Sequence, residues 1–148
     1  MARYFLFSFL LLVSGCSSVR NTTNTNSANT VILPGWMKGH FMDDYGIRYT
    51  VNDTLFRQHP SALYHILEWN EKEQYLLVKN DEGNPTEKGL YSRIDYMQFT
   101  NMQPYLWGFC LTVYNAQDTG AAKKAPFADR ENPKKGCNGF PFSRMKVN

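Results

Sequence analysis

The sequence predicts a mainly β domain, a small antiparallel up-and-down barrel or curled meander of seven to eight strands with one short helix near the C-terminus. Three observations predict it. Short runs rich in aromatic and β-branched side chains are separated by clusters of turn residues. Long helical periodicity is absent until after Tyr114. The strands are mostly sequential within about 115 residues, an arrangement that closes most simply as a meander.

Strands are expected at Trp36 to Asp43, Ile47 to Val51, Thr54 to Gln58, Tyr64 to Trp69, Gln74 to Lys79, Leu90 to Thr100, Tyr105 to Tyr114 and Phe140 to Val147. Between them lie Asp44-Tyr45-Gly46, Asn70-Glu71-Lys72, Asp81 to Pro85 and Asn101 to Pro104, residues that supply turn hydrogen bonds or tolerate turn backbone angles. Most neighbours are therefore expected to be hairpin partners. Alternation is clearest from Tyr105 to Tyr114, where Tyr105, Trp107, Phe109, Leu111 and Val113 share one face, the expected core face. After Tyr114 the two-residue period is lost and alanines accumulate. A short helix is expected near Ala116 to Lys124, then a loop to Gly136 and a return to the sheet through Phe140.

The N-terminus reads as an address. Arg3 is followed by an apolar run from Tyr4 to Val13 and by small residues, the pattern of a secretory signal peptide. At about ten residues the run is too short for a permanent transmembrane helix. Val13, Ser14, Gly15 and Cys16 resemble the bacterial lipobox position for position. That resemblance implies cleavage after residue 15 and acylation of Cys16, so that the protein is a lipoprotein held to a membrane by its N-terminal lipid. Several acyl chains at about 0.8 kcal/mol per methylene make a firm anchor. Ser17, rather than Asp, follows the cysteine, which in enteric-type bacteria suits the outer membrane.

Residues 16–30 are rich in Ser, Asn and Thr and read as a disordered tether with a span of roughly 20 Å. Residues 31–148 remain as a single domain. Loss of residues 1–15 removes Arg3, so the formal net charge falls from +3 to +2. That charge, on a tethered envelope protein, argues against nucleic acid as a partner. Residues 31 to 118 carry seven basic and eleven acidic side chains, and 119 to 148 carry seven basic and two acidic. With Cys16 assigned to lipid, Cys110 and Cys137 are left, and an exported compartment allows them one pairing.

Two further resemblances concern the domain. Gly35-Trp36 and Arg144 resemble the Gly, Trp and Arg with which lipocalin-like barrels stack a guanidinium over a tryptophan at closure. In that family a residue separates Gly from Trp, and here the two are adjacent. The segments WMKGHFMDDYG, GLYSRIDYMQF and ADRENPKKGCNGFPFSRM are similar to a group of predicted bacterial lipoproteins, which implies a self-contained module without adding chemistry.

Candidate chemistry is sparse. His40 lies near Asp43 and Asp44, and His65 is three residues before Glu68; positions three apart point to opposite faces of a regular strand, so no metal site is expected from that spacing. Asp43, Asp44, Glu68 and Asp95 are carboxylates that glycoside hydrolysis would require in a pair. No nucleophile elbow, zinc-protease motif, phosphate loop or dinucleotide fingerprint is present, so no catalytic residue and no cofactor is expected. Arg93 and Asp95 share a face with Tyr91. They form either an internal ion pair that fixes register or, with Tyr91, a polar anchor in a ligand cavity. Three Trp, nine Tyr and ten Phe are many for so small a domain; some of them fill the core, and a surplus on the outside would form a binding surface for protein or sugar rings. The expected function is that of a non-enzymatic envelope lipoprotein that binds a protein partner or a small apolar ligand. The alternatives are an inhibitor of a lysozyme or protease, and a small carboxylate hydrolase.

Overall fold

The computed structural model describes residues 30–148. The expected signal peptide, lipid attachment at Cys16 and tether as far as residue 29 lie outside the described residues. Within them, β1 (Gly39–Asp43), β2 (Arg48–Val51), β3 (Leu55–Gln58), β4 (Ala62–Asn70), β5 (Tyr75–Asn80), β6 (Tyr91–Gln98), β7 (Trp107–Ala116) and β8 (Ser143–Val147) form a closed antiparallel barrel in sequence order. Closure is made by β8 on β1, with Phe41 opposite Val147 and Asp43 opposite Met145. A single short helix, α1 (Thr119–Lys124), lies between β7 and β8. Among the described residues no helix is long and apolar enough to cross a membrane.

Alternation sends one face of each strand into the barrel. Phe41, Tyr49, Val51, Phe56, Ile66, Leu76, Val78, Ile94, Tyr96, Trp107, Phe109 and Met145 meet there in one buried cluster, joined by Leu33 and Met37 from the segment before β1. The aromatic rings pack edge-to-face, as their quadrupoles favour: Phe41 stands at 89° to Trp107, with centroids 5.5 Å apart. The barrel is thus packed with its own side chains.

The first expected strand is shorter than its sequence suggests. Gly39 has φ 135°, a conformation that L residues avoid, and the chain turns there, so Gly35–Met37 form a 3-10 turn ahead of the strand. The turn is held across one end of the barrel: the Leu33 amide donates to Asp53 Oδ1 at 2.7 Å, and Lys38 pairs with Asp53 at 3.2 Å. The Asp53 carboxyl is held below its ordinary range, chiefly by that Leu33 amide and also by Lys38.

Irregularities in β4 and β7 change which face a residue occupies. In β4 the register shifts between Ile66 and Glu68, so Leu67 is the additional residue, and both Ile66 and Trp69 reach the core. In β7 the register shifts twice, between the partners of Ile94 and Arg93 and again between those of Arg93 and Tyr91. Leu111 therefore packs with the barrel core, whereas Val113 joins a second cluster outside it with Tyr75, Leu77 and Ala122. The strict alternation expected through Val113 ends at the first of these shifts.

β5 has no visible alternation because it is covered on both sides. Leu76 and Val78 face the core, and Tyr75 and Leu77 lie beneath α1. The covering layer is the excursion between β7 and β8. Asp118 caps α1, its side chain accepting from the Ala121 amide at 2.7 Å. Cys110 and Cys137 form the expected disulfide, which ties the excursion to the outer face of β7.

Candidate functional site

Arg93 and Asp95 are both 0% exposed, but on the outer face of the barrel. Their neighbours Ile94 and Tyr96 take the core face, so the pair lies between the wall and the excursion. Arg93 Nε donates to Asp95 Oδ1 at 2.7 Å and Nη2 to Oδ2 at 3.2 Å. Nη1 donates to the carbonyls of Ala122, Lys123 and Ala125, and Nη2 to that of Pro126 at 2.6 Å. Asp95 Oδ2 also accepts from the Ala128 amide at 2.7 Å. The guanidinium lies 4.4 Å from the centre of the Phe127 ring.

These contacts engage both terminal nitrogens and Nε, leaving the guanidinium fork directed wholly at protein acceptors. The pair is a clasp that satisfies the open C-terminal carbonyls of α1. The expectation of a ligand anchor at Tyr91, Arg93 and Asp95 is therefore corrected: their face points away from the barrel interior, and Tyr91 packs with the cluster under α1. Nearby Arg130 clamps the same excursion, donating to the carbonyls of Tyr96, Glu73 and Gln74.

The expected stacking of Arg144 over Trp36 is also corrected. Trp36 meets Tyr96 and Trp107 at centroid distances of 5.9 and 6.1 Å, on the core side of the barrel end. Arg144 precedes the fully buried Met145, so it points outward. Its guanidinium lies 4.7 Å from the Tyr105 ring centre and pairs with Asp44 at 2.8 Å.

The four carboxylates are separately engaged. Asp43 is buried, with Oδ1 accepting from the Tyr45 and Ile47 amides and Oδ2 from the Tyr49 hydroxyl at 3.0 Å. Burial first, and then Asp43, push the Tyr49 phenol well above its ordinary pKa. Glu68 accepts from the Tyr75 hydroxyl and pairs with Lys123. The β4 bulge places His65 and Glu68 on the same outer face, against the expectation from spacing, but His65 pairs with Asp81 and not with a ligand shared with Glu68. Among the described residues no three His, Cys, Asp or Glu side chains converge as metal ligands.

What the structure does bring together lies at the other end of the barrel from the 3-10 turn. β8 pairs with β7 only at Trp107, Gly108 and Phe109, leaving the rest of β7 without β8 alongside it. A hollow of about 340 Å³ opens at this seam, lined by Ile47, Tyr49, Phe109, Leu111, Tyr45, Phe140 and Pro141 among others. A second groove, of about 490 Å³, runs outside it over Phe99, Met102, Pro133, Phe142, Lys134, Asp44 and Arg144, and shares Tyr45 and Pro141 with the first. Phe99 forms part of the groove and covers Gly108, where an added Cβ would stand 2.8 Å from the ring.

Two aromatic side chains stand at the junction, Tyr45 at 64% exposed and Phe140 at 72%. Both are carried on hydrogen-bonded turns. Tyr45 occupies the β1–β2 turn fastened by Asp43. Phe140 closes a two-residue turn in which Asn138 and Gly139 both have positive φ, and Cys137 and Phe140 exchange both backbone hydrogen bonds. The disulfide fixes the base of that turn. Asn138-Gly139 after a cysteine is the sequence signal that marks it, and Asp44-Tyr45-Gly46 marks Tyr45 as a turn residue.

Comparison with protein-family models, with curated proteins and with solved structures yields no match, for the lipocalin-like features or for the chain as a whole.

Proposed function

We propose that this protein is a membrane-anchored bacterial envelope lipoprotein whose barrel is a non-enzymatic binding module for a protein partner. The observation that carries the reading is the pair of exposed aromatics, Tyr45 and Phe140, each carried on a hydrogen-bonded turn beside two partly apolar hollows. Aromatic anchors beside desolvated pockets are the usual centre of a protein interface, because they bury much area at little cost in side-chain entropy. Lys134 and the Arg144–Asp44 pair supply a charged rim, and Lys134 favours an acidic group on the partner.

A protein partner is preferred to a small apolar ligand because the barrel interior is occupied by its own aromatic cluster. An apolar ligand would have to settle in the open hollows. The disulfide-backed Cys137–Phe140 turn, which projects a phenylalanine, also suits insertion into an enzyme cleft. An inhibited lysozyme or protease is therefore the second reading, using the same surface.

The test is a photoreactive benzoylphenylalanine at Phe140, with the same group at Leu67, an exposed apolar residue on β4, as control. The expected result is a cross-linked envelope protein specific to position 140. Its affinity should fall at least about tenfold in Tyr45→Ser/Phe140→Ser, a loss of ~1.4 kcal/mol. Identical adducts at both positions, or none at 140, would overturn the reading. Inhibition of lysozymes or secreted proteases that is lost in the same variant would select the second. The anchor is tested separately by mass spectrometry of membrane-extracted protein: an acylated N-terminal Cys16 is expected, and an unmodified thiol would refute it.

A further inference from the structure

A third hollow, of about 210 Å³, lies on the outer face of β1 and β2, bordered by His40, Arg48, Thr50, His59 and Asn148. We propose that it binds a phosphate group, presented either as a free anion or on a lipid headgroup.

The geometry converges on one hydroxyl. Thr50 Oγ1 lies 3.1 Å from His40 Nδ1 and 2.9 Å from His59 Nε2. One hydroxyl proton serves only one of these nitrogens, so at least one ring keeps its own proton directed at the oxygen. The remaining nitrogens, His40 Nε2 and His59 Nδ1, have no protein partner among the described residues. Neither does the Arg48 guanidinium, and Arg57 makes a single long contact, 3.4 Å to the Pro60 carbonyl. These groups form a set of unspent donors around a hollow several times the ~30 Å³ that one water occupies in the liquid. Arginine and imidazole donors are suited to phosphate oxygens.

The side-chain charge around the hollow is one-sided. Strand pairing sets His40 beside Thr50 and Thr50 beside Arg57, and sets Met42 between Arg48 and Lys146. The carboxylates near in sequence are occupied elsewhere: Asp43 is buried, Asp44 is paired with Arg144, and Asp53 with Lys38. The groups that face His59 are Arg57, Arg48 and His40, and together with desolvation, the larger cause, they lower its pKa. An anion in the hollow opposes that field and raises the proton affinity of His59. Phosphate binding should therefore strengthen as pH falls through the imidazole range.

The experiment follows the imidazole Cε1 protons by NMR in the full chain carrying Cys16→Ser, so that no acyl group contributes. Inorganic phosphate is titrated against chloride at equal ionic strength. The expected result is a saturable shift of His40 and His59 and a raised His59 titration midpoint, with affinity lowered at least about tenfold in Arg48→Gln. Thr50→Val should also weaken it, and Lys72→Gln, in the β4–β5 turn, should not. A second arm measures retention on phosphatidylcholine vesicles with and without phosphatidylglycerol. Phosphatidylglycerol-dependent retention that needs Arg48, with no response to inorganic phosphate, assigns the group to a lipid; a response to inorganic phosphate supports the free anion. No response in either arm, or responses that Arg48→Gln leaves unchanged in a variant of wild-type thermal stability, would overturn the proposal.

Discussion

Replacing Arg93 with methionine should release the excursion from the barrel. The side chain is fully buried, paired with Asp95 through two hydrogen bonds, and donates to four backbone carbonyls between Ala122 and Pro126. Breaking a buried ion pair by removing one partner costs about 3–5 kcal/mol, because the other charge is left uncompensated. Each orphaned carbonyl would add about 1–3 kcal/mol if it stayed dry. Four such terms would rival the whole stability of a small domain, about 5–15 kcal/mol. The cheaper response is for the segment after α1 to lift away and hydrate. The expected outcome is therefore a loss of about 3–5 kcal/mol in urea unfolding of the oxidised protein. Faster tryptic cleavage at Lys123, Lys124 and Arg130 should accompany it. Arg93→Met/Asp95→Leu should recover part of the loss by removing the unpaired carboxylate, but not the part due to the carbonyls. A loss below about 1 kcal/mol with unchanged protease resistance would refute the clasp. It would mean that the disulfide and Arg130 hold the excursion without it.

Two other perturbations separate the layers. Cys110→Ala/Cys137→Ala opens a loop of 27 residues, and chain entropy assigns that closure about 3.5 kcal/mol; a change below about 1 kcal/mol in urea unfolding would show that packing alone orders the segment. Trp36→Ala should cost about 2–4 kcal/mol, less than a wholly buried tryptophan, while Arg144→Ala should cost under about 1 as an exposed pair. Equal losses in thermal or urea unfolding would contradict their placement on opposite sides of the barrel wall.

The strands and their order were legible because each is bounded by turn chemistry and most hairpins are local. The disulfide was legible because two cysteines remained once Cys16 was set aside on its resemblance to a lipobox. The bulges were not. The extra residue at Leu67 and the shifts on either side of Val113 leave no mark in composition, yet each reverses the face of the residues that follow it until the next shift. This is why His65 and Glu68 share a face that spacing denies them, and why Val113 leaves the core. The face of β6 was ambiguous for a related reason. Arg93 and Asp95 are buried on the outside of the barrel because a segment some thirty residues later covers them, and such burial cannot be read from a strand alone. Phe140, read as a strand residue, was displaced by its neighbours: Asn138-Gly139 takes up the turn and Cys137 is held to β7, so β8 starts only at Ser143.

The excursion between β7 and β8 links the fold to the proposed surface. An up-and-down barrel would ordinarily continue from β7 into β8 through a short turn and pair the two along their length. Here the chain leaves at Ala116 and returns at Ser143, so β8 is in place for only three residues of β7. The hollow this leaves at the seam is lined by Tyr49 and Phe109, both buried, and by the partly buried Leu111. The returning chain then supplies the rim, since Phe140 and Pro141 stand immediately before β8. Opening and rim thus have one origin, and their geometry depends on how firmly the excursion is held. The Arg93–Asp95 clasp, Arg130 and the disulfide act on that same segment from three sides. Stability and recognition are therefore coupled: a substitution at Arg93, on the outer face of β6 and outside both hollows, should weaken partner binding by loosening Phe140. The same substitution should leave the phosphate hollow on β1 and β2 unchanged.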